Sequence, residues 1–174
     1  TCFDPLKAYI YEHGLVRLAT QPYTTNSKTL KKSFVHLTNY SLNKNSKQFD
    51  DKKHKLRLKD VLKGELVSSS QGKTYRKRAT EIWDQIEQIV IKTMFAVQPQ
   101  LAHLYRTAQA KEPDLCCDLL GFDVMLDHKL KPWLLEVNLS PSLQCDSPLD
   151  EKIKSNLIAD LLNLAGIVSP EHQQ

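Results

Sequence analysis

Several features that would place a sequence in a specialised class are missing from these 174 residues. No apolar run approaches the ~18 residues of a membrane-spanning helix, and no signal peptide opens the chain. The four cysteines show neither zinc-ligand spacing nor a disulfide framework, so we expect a reducing, cytoplasmic compartment. Repeats and low-complexity linkers are also absent. With 41% hydrophobic and 25% charged residues, the composition is that of an ordinary globular chain.

Positive charge is concentrated in one part of the chain, although the net charge is only +4. Between Lys28 and Arg78 basic residues outnumber acidic ones, in segments such as KTLKK, KKHKLRLK and KTYRKR. Such clustering favours an anionic partner, and a solvated loop without any partner is the alternative. Few aromatic residues lie among the lysines and no nucleic-acid-binding motif is present, so nucleic acid is not the expected partner.

Hydrophobic periodicity predicts an α+β fold, in which helices pack on an antiparallel sheet. A capping serine at position 147 and Gly166 mark the start and the stop of the last helix. The expected elements, in chain order, are a hairpin over 6–20, a strand over 33–41, a loop over 42–79 with a short helix near 58–62, a helix over 80–97 capped by Thr80, a second turn over 101–110, a hairpin over 117–138 and a helix over 147–165.

The strand KPWLLEVN carries polar side chains where a buried strand ordinarily has none. Glu136 and Asn138 are two residues apart and therefore share one face. If Leu126 faces Trp133 across the turn, Asp123 lies opposite Glu136 on that face. Two adjacent carboxylates repel unless a cation lies between them, and an oxygen-only ligand set suits Mg²⁺ bound to a phosphate-bearing ligand. A carboxylate that caps a nearby loop, or one paired with a lysine, is the alternative.

Four uncommon motifs (HLTNYS, LLGFDVMLD, KPWLLEVNLSPSL and SPLDEKIK) occur in an order that resembles the tubulin tyrosine ligase-like family. Within that family the chain looks most like the glutamate ligases that modify tubulin tails. The resemblance implies an ATP-grasp-like antiparallel sheet with packed helices, with 1–174 as the central and C-terminal part of the catalytic core. It assigns 28–79 to a basic loop region and 116–168 to the metal-binding hairpin and C-terminal helix. The N-terminal nucleotide-binding part would precede Thr1, so the fragment alone is expected to be inactive.

The resemblance also implies an ATP-dependent ligase that uses Mg²⁺ and free L-glutamate, with tubulin C-terminal tails or microtubules as partners. ATP would phosphorylate the acceptor carboxylate, and the amino group of the incoming amino acid would attack the acylphosphate. Catalysis would depend on Arg17 and Glu136. The matched positions are Asp123, Glu136 and Asn138 for the metal, Arg17 for phosphate or glutamate, Thr38 and Asn39 for ATP, and Tyr40, Ser41, Lys55 and Lys154 for the amino acid.

Leu139 matches a position near the acceptor, where ligases that lengthen glutamate chains resemble one another in having a histidine. Leucine there implies an initiating enzyme that attaches the first glutamate, and packing of Leu139 under the last helix is the alternative. The rival functions are a non-catalytic fragment that binds acidic tails or microtubules and a family ligase for another amino acid, such as glycine. The expected location is the cytoplasm and the microtubule cytoskeleton, with cilia and basal bodies as candidate sites, and a membrane is not an expected partner.

Overall fold

The computed structural model describes residues 2–3, 5–65, 72–107 and 118–167 as helices and short antiparallel strand pairs. The strands are β1 (Cys2–Phe3), β2 (Leu6–Lys7), β3 (Leu15–Arg17), β4 (Lys55–Arg57), β5 (Gly121–Leu126) and β6 (Pro132–Asn138). The helices are α1 (Ser33–His36), α2 (Tyr40–Asn43), α3 (Asp51–His54), α4 (Leu58–Asp60), α5 (Gly72–Thr107) and α6 (Pro148–Leu164), with a 3₁₀ turn at Ser27–Thr29 and a π-helical turn at Val61–Glu65. None of the helices in these ranges is both long and apolar enough to cross a membrane.

The described elements form two compact units. The first, which we call the hairpin unit, contains the chain up to Tyr11, the stretch from α5 to Gln144, and the residues from Ser155 onward. The second, the ion-pair unit, contains residues from Glu12 through the π-helical turn together with Cys145–Lys154. The chain of α6 therefore begins in the ion-pair unit and ends in the hairpin unit.

Helix α5 is the main element of the hairpin unit and lies beside β1 and β6. It starts before Thr80 and passes through Pro99, so the expected cap at Thr80 and the expected end near residue 97 are both wrong. Proline removes one backbone donor from a helix. Met94 and Ala102 are buried on either side of Pro99, however, and their packing favours continuation of the helix across the proline.

The strand pair β5–β6 confirms the predicted hairpin, and its turn is held by Asp127. The carboxylate of Asp127 accepts backbone N–H groups from Lys129 at 2.8 Å and Lys131 at 3.0 Å, and the indole N–H of Trp133 at 3.0 Å. These hydrogen bonds lower the pKa of Asp127, and the largest contribution comes from the indole N–H of Trp133. One charged side chain thus fixes the turn and the first residues of β6.

The register of this hairpin differs from the expected one near the turn. Leu126 does not pair with Trp133, because Trp133 pairs with Met125. A register shift immediately after Asp123 accommodates one extra residue in β6, so that Asp123 pairs with Glu136 as predicted. The prediction of facing carboxylates is therefore confirmed, whereas the predicted pairing of Leu126 with Trp133 is wrong.

In the ion-pair unit, strand pairing between segments distant in sequence determines the structure, and the local hydrophobic pattern does not predict it. Strand β3 pairs with β4, some forty residues later, and β2 pairs with β1, so the expected hairpin over 6–20 is wrong. The expected strand over 33–41 is also wrong, because α1 and α2 occupy it and α1 buries Val35. The apolar core of this unit consists of Val35, Val61, Leu62 and Ile153.

The expected long loop is shorter than the sequence indicates. Within 42–65 the structure contains the end of α2, the helical turns α3 and α4, strand β4 and the π-helical turn. The short helix expected near 58–62 is confirmed by α4 and the turn that follows it. Residues 66–71 lie outside the described part of the chain, and 72–79 belong to α5.

Helix α6 confirms the start and stop signals in the sequence. The hydroxyl of Ser147 accepts the backbone N–H of Asp150 at 3.3 Å, which caps the first turn. At the other end Gly166 has φ +69°, a conformation that glycine adopts readily, and the N–H of Ile167 donates to the carbonyl of Leu162 at 3.0 Å.

Candidate functional site

The side chains expected to bind Mg²⁺ lie together on β5–β6 in the hairpin unit. Asp123 and Glu136 are directly paired across the strands, so their carboxylates project from one face. Asn138 is on the same face of β6, and its Nδ2 donates to Oε1 of Glu136 at 3.3 Å. Asp123 and Asn138 are half-buried and Glu136 is exposed. We call these three residues the oxygen triad.

The donor set of the oxygen triad fits a hard divalent cation. It offers carboxylate and amide oxygens, the ligands that Mg²⁺ prefers, and its partial exposure leaves room for water and phosphate oxygens. Within the described ranges no group of three or more His, Cys, Asp or Glu side chains could hold a metal ion. The oxygen triad is not such a group, because it has two carboxylates, Asp123 and Glu136, and its third member, Asn138, is an amide.

Gly121 allows the segment after the oxygen triad to fold back on the hairpin. It pairs with Asn138, and a Cβ at this position would lie 2.9 Å from Cβ of Pro141. Any larger residue would push Pro141 away. The chain bends at Leu139 and Ser140, and the side chain of Leu139 is 77% exposed. The alternative that Leu139 packs under the last helix is therefore wrong.

The ion-pair unit holds a second group of polar side chains, which we call the Lys55 cluster and which consists of Lys55, Asp150, Ser147 and Tyr40. The ammonium of Lys55 donates to Oδ2 of Asp150 and lies 3.5 Å from Oγ of Ser147. It also lies 4.2 Å from the ring centroid of Tyr40, which is a cation–π contact. Lys55 is 6% and Asp150 1% exposed, so both charges are shielded from water.

Asp150 is ionised because its neighbours supply donors. Burial by itself raises the pKa of this carboxyl, but the hydrogen bonds from Lys55 and Ser147, with the charge of Lys55 and the N–H of Asp146, bring the pKa below its usual value. The Oγ of Ser147 donates to Oδ2 of Asp150 at 2.9 Å, and the N–H of Asp146 at 3.1 Å. Because the pKa is lowered on folding, this stabilisation is present at neutral pH and is lost only as the pH falls through the acid range.

Tyr40 connects the Lys55 cluster to an aromatic group. Its ring packs edge-on against Phe49 at 5.7 Å, and Phe49 stacks on His54 at 5.6 Å. Burial, followed by the negative charges of Asp51, Asp146 and Asp150, raises the pKa of the Tyr40 hydroxyl. Tyr40 is therefore a neutral hydrogen-bond donor throughout the neutral range.

Asn43 is the second buried polar residue that organises this unit, and it is 1% exposed. Its Oδ1 accepts the backbone N–H of Thr20 at 3.2 Å and the Thr20 hydroxyl at 3.1 Å. Its Nδ2 donates to the carbonyls of Leu37 at 2.8 Å and Asn39 at 3.0 Å. The amide of Asn43 thus fixes residues 37–39 to Thr20. This segment contains Thr38 and Asn39, the two positions expected to contact ATP.

The structure places the remaining expected residues as follows. Arg17 is exposed and pairs with Lys55 across β3–β4, so the two side chains share one face. Thr38 is half-buried, whereas Asn39 and Ser41 are exposed. Lys154 is half-buried and lies one helical turn after Asp150. All these residues belong to the ion-pair unit, whereas the oxygen triad and Leu139 belong to the hairpin unit.

Lys55 differs from the other lysines of the basic region because it is buried and paired. It is therefore not part of the exposed positive surface, although it lies within the basic segment KKHKLRLK. Among residues 28–63 the exposed lysines are Lys28, Lys31, Lys32, Lys44, Lys47, Lys52, Lys53 and Lys63. We call this set the basic surface.

Two residues that organise the site were not identified as such from the sequence. Asp150 was recognised only as part of the start of α6, and its partner Lys55 is 95 positions away. Asn43 lies in the polar segment YSLNK, where no periodicity distinguishes a buried amide from an exposed one. Only a structure shows that both are buried and hydrogen-bonded.

Comparison with known proteins gives consistent matches. The family model described as tubulin-tyrosine ligase family matches residues 1–174. The tubulin monoglutamylase TTLL4 of Mus musculus is 41% identical over 177 residues, which cover 98% of this chain and 14% of that protein. The tubulin polyglutamylase ttll-5 of Caenorhabditis elegans is 44% identical over 177 residues, covering 95% of this chain and 23% of that protein.

A ciliate relative is similar to the same extent. The probable beta-tubulin polyglutamylase of Tetrahymena thermophila is 40% identical over 169 residues, covering 92% of this chain and 14% of that protein. The chain thus spans between a seventh and a quarter of the length of these relatives.

The contacts of Asn43 lead to a stability prediction. Asn43→Ala is expected to lower the free energy of unfolding by about 2–4 kcal/mol, because Thr20 and two backbone carbonyls lose buried partners. Denaturant unfolding of the purified protein measures this change. Asn45→Ala is the matched control, since it removes an exposed amide that donates to Ser41 at 3.1 Å, and a change within about 0.5 kcal/mol is expected. Equal losses in the two variants would contradict the role given to Asn43.

Proposed function

Because the chain belongs to the tubulin-tyrosine ligase family, we propose that it is part of an ATP-dependent ligase that adds glutamate to glutamate side chains of an acidic protein tail. The tail proposed is the C-terminal tail of tubulin, because the relatives are named tubulin glutamylases. The observation that carries the proposal is the oxygen triad, in which Asp123 faces Glu136 across the strands with Asn138 beside it. Association with the microtubule cytoskeleton follows from the proposed acceptor.

Asp123, Glu136 and Asn138 are the residues that would hold Mg²⁺. When bound, the ion would neutralise charge on the phosphates of ATP, which an oxygen-only set with water-accessible sides permits. The carboxylates are held by strand pairing and by the hydrogen bond from Asn138 to Glu136, so their positions do not depend on a flexible loop. An ATP-grasp-like core is the proposed context of this hairpin.

The reaction proposed has two steps and needs no nucleophile from the protein. A carboxylate oxygen of the acceptor attacks the γ-phosphorus of ATP, which gives an acylphosphate and ADP. The amino group of free L-glutamate then attacks the acyl carbon, phosphate leaves, and an amide bond forms. The protein supplies positioning and charge neutralisation.

The ion-pair unit supplies the groups proposed to bind the two small substrates. The guanidinium of Arg17 is exposed and suits a carboxylate or a phosphate. Thr38 and Asn39, fixed through Asn43, are proposed to approach ATP. Contacts to glutamate are assigned to Tyr40, Ser41, Lys55 and Lys154.

The oxygen triad is tested by removing one charge without changing volume. In the full-length protein Glu136→Gln is expected to reduce glutamate incorporation into tubulin by about 10²–10³-fold, because a preorganised ligand charge is lost. The thermal stabilisation produced by Mg²⁺ with ATP should fall as well, while stability without ligands stays unchanged. Asp160→Asn, which removes an exposed carboxylate on α6, is the control. Near-normal turnover by Glu136→Gln would refute the metal assignment.

The basic surface is proposed to attract the acidic tail through long-range electrostatics. Exposed charges are screened over about 8 Å at physiological ionic strength, so affinity for a glutamate-rich peptide should fall steeply between low and moderate salt. Lys52→Gln combined with Lys53→Gln should weaken binding and flatten the salt dependence. The control is Lys92→Gln combined with Lys129→Gln, which removes equal charge from the hairpin unit. Salt-independent affinity would point to another binding surface.

Leu139 supports attachment of the first glutamate rather than chain elongation. It is exposed at the bend after the oxygen triad and offers no donor to a main-chain carboxylate of an existing branch. One of the relatives is named a monoglutamylase, which agrees with single additions.

The test of Leu139 is the length of the glutamate branches that the full-length protein makes, measured by mass spectrometry of modified tails. The wild type is expected to give mostly single-glutamate branches. Leu139→His should shift the products toward longer chains, because the imidazole can hydrogen-bond the branch carboxylate. Leu162→His, at another exposed leucine, serves as the control. Long chains grown by the wild type, preferentially from pre-branched peptides, would refute initiation.

A further inference from the structure

Asp150 takes no part in the proposed reaction, yet it is among the most completely buried residues that the structure describes. Its Oδ2 accepts three hydrogen bonds, from the ammonium of Lys55, the hydroxyl of Ser147 and the backbone N–H of Asp146. The hydroxyl of Ser147 in turn accepts the N–H of Asp150. These three donors therefore fix the position of the Asp150 carboxylate.

The contacts of Asp150 determine where the charge of Lys55 lies. An ammonium has three donors. In this cluster Asp150 takes one, Ser147 lies 3.5 Å away, and the ring of Tyr40 lies 4.2 Å away on another side. Without Asp150 the flexible four-carbon side chain of Lys55 would have no ionic partner, among the residues that the structure describes, to hold it against Tyr40.

We propose that Asp150 is a positioning residue of the amino-acid site, which acts by fixing the ammonium of Lys55 against Tyr40. This inference rests on the proposed function, since Lys55 and Tyr40 matter here as contacts of the incoming glutamate. Arg17 is directly opposite Lys55 on β3, and Lys154 lies one turn after Asp150 on α6. Of these three cations assigned to anionic substrates, Lys55 is the buried one, and Asp150 sets its position.

The energetics of buried ion pairs favour this role over a purely structural one. A buried pair contributes little net stability compared with apolar side chains of similar volume, because both charges must be desolvated. Two apolar residues would therefore join β4 to α6 equally well. The charged pair provides instead a cation in a fixed place, which an apolar contact does not.

The first experiment measures the kinetics of the full-length protein with L-glutamate, ATP and tubulin. Asp150→Asn keeps the shape and removes the charge, and the KM for glutamate should rise about tenfold or more, the equivalent of losing one charge-assisted hydrogen bond. The kcat at saturating glutamate and the KM for ATP should change much less. Glu151→Gln, an exposed neighbour in the same helical turn, is the matched control and should match the wild type. An unchanged or lower KM for glutamate in folded Asp150→Asn would overturn the inference.

A second variant separates positioning from stability, because Asp150→Asn leaves a buried ammonium without its partner and can destabilise the fold. Lys55→Met combined with Asp150→Leu removes both charges and is expected to restore the unfolding temperature. If the pair serves the amino-acid site, the KM for glutamate stays raised in this stable double variant. A wild-type KM in the double variant would show that the pair is structural only. Failure of the wild type itself to incorporate glutamate would overturn the proposed function, and with it this inference.

Discussion

The buried ion pair between Lys55 and Asp150 is the interaction on which the ion-pair unit depends. It joins β4 to the first turn of α6 across 95 positions of sequence, and β4 in turn carries β3. Removing one member of such a pair leaves an uncompensated buried charge, which costs about 3–5 kcal/mol. Arg17 on β3 and Lys154 on α6 belong to elements that this pair connects, and the ring of Tyr40 lies against the ammonium of Lys55. A single electrostatic contact therefore couples the stability of the unit to the geometry of its proposed substrate contacts.

Local signals in the sequence predicted the parts of the fold that local interactions determine. The β5–β6 hairpin has a turn that Asp127 closes by itself, and α6 has its own cap and its own terminal glycine. The pairing of β3 with β4, by contrast, joins segments about forty residues apart, and the pattern around His13 and Gly14 resembles a hairpin turn although the strand pairs elsewhere. Contacts at long sequence separation are decided by the packing of the whole unit, which a local window does not contain.

The oxygen triad was predictable from the sequence because all three of its residues lie in one hairpin. Side-chain alternation along β6 places Glu136 and Asn138 on one face, and hairpin closure brings Asp123 opposite. Side-chain alternation does not reveal the extra residue accommodated in β6. Because of that residue, the register near the turn differs by one from the register at Asp123 and Glu136. Asn43 and Asp150 gave no comparable signal, because their importance lies in burial and in partners that are distant along the chain.

The positive charges of the ion-pair unit have two different physical roles, which depend on whether the lysine is exposed or buried. Composition alone does not distinguish them. The lysines of the basic surface are exposed, so their field reaches into solvent, is screened by salt, and acts mainly on the rate at which an anionic partner arrives. Lys55 has its charge balanced by Asp150 at contact distance, so it adds little to that field. What burial gives Lys55 instead is a fixed position, held by Asp150 and by the ring of Tyr40. In the proposed function, exposed charge therefore accounts for attraction of the acidic tail, whereas recognition of glutamate would depend on the few cations whose positions the fold has already fixed.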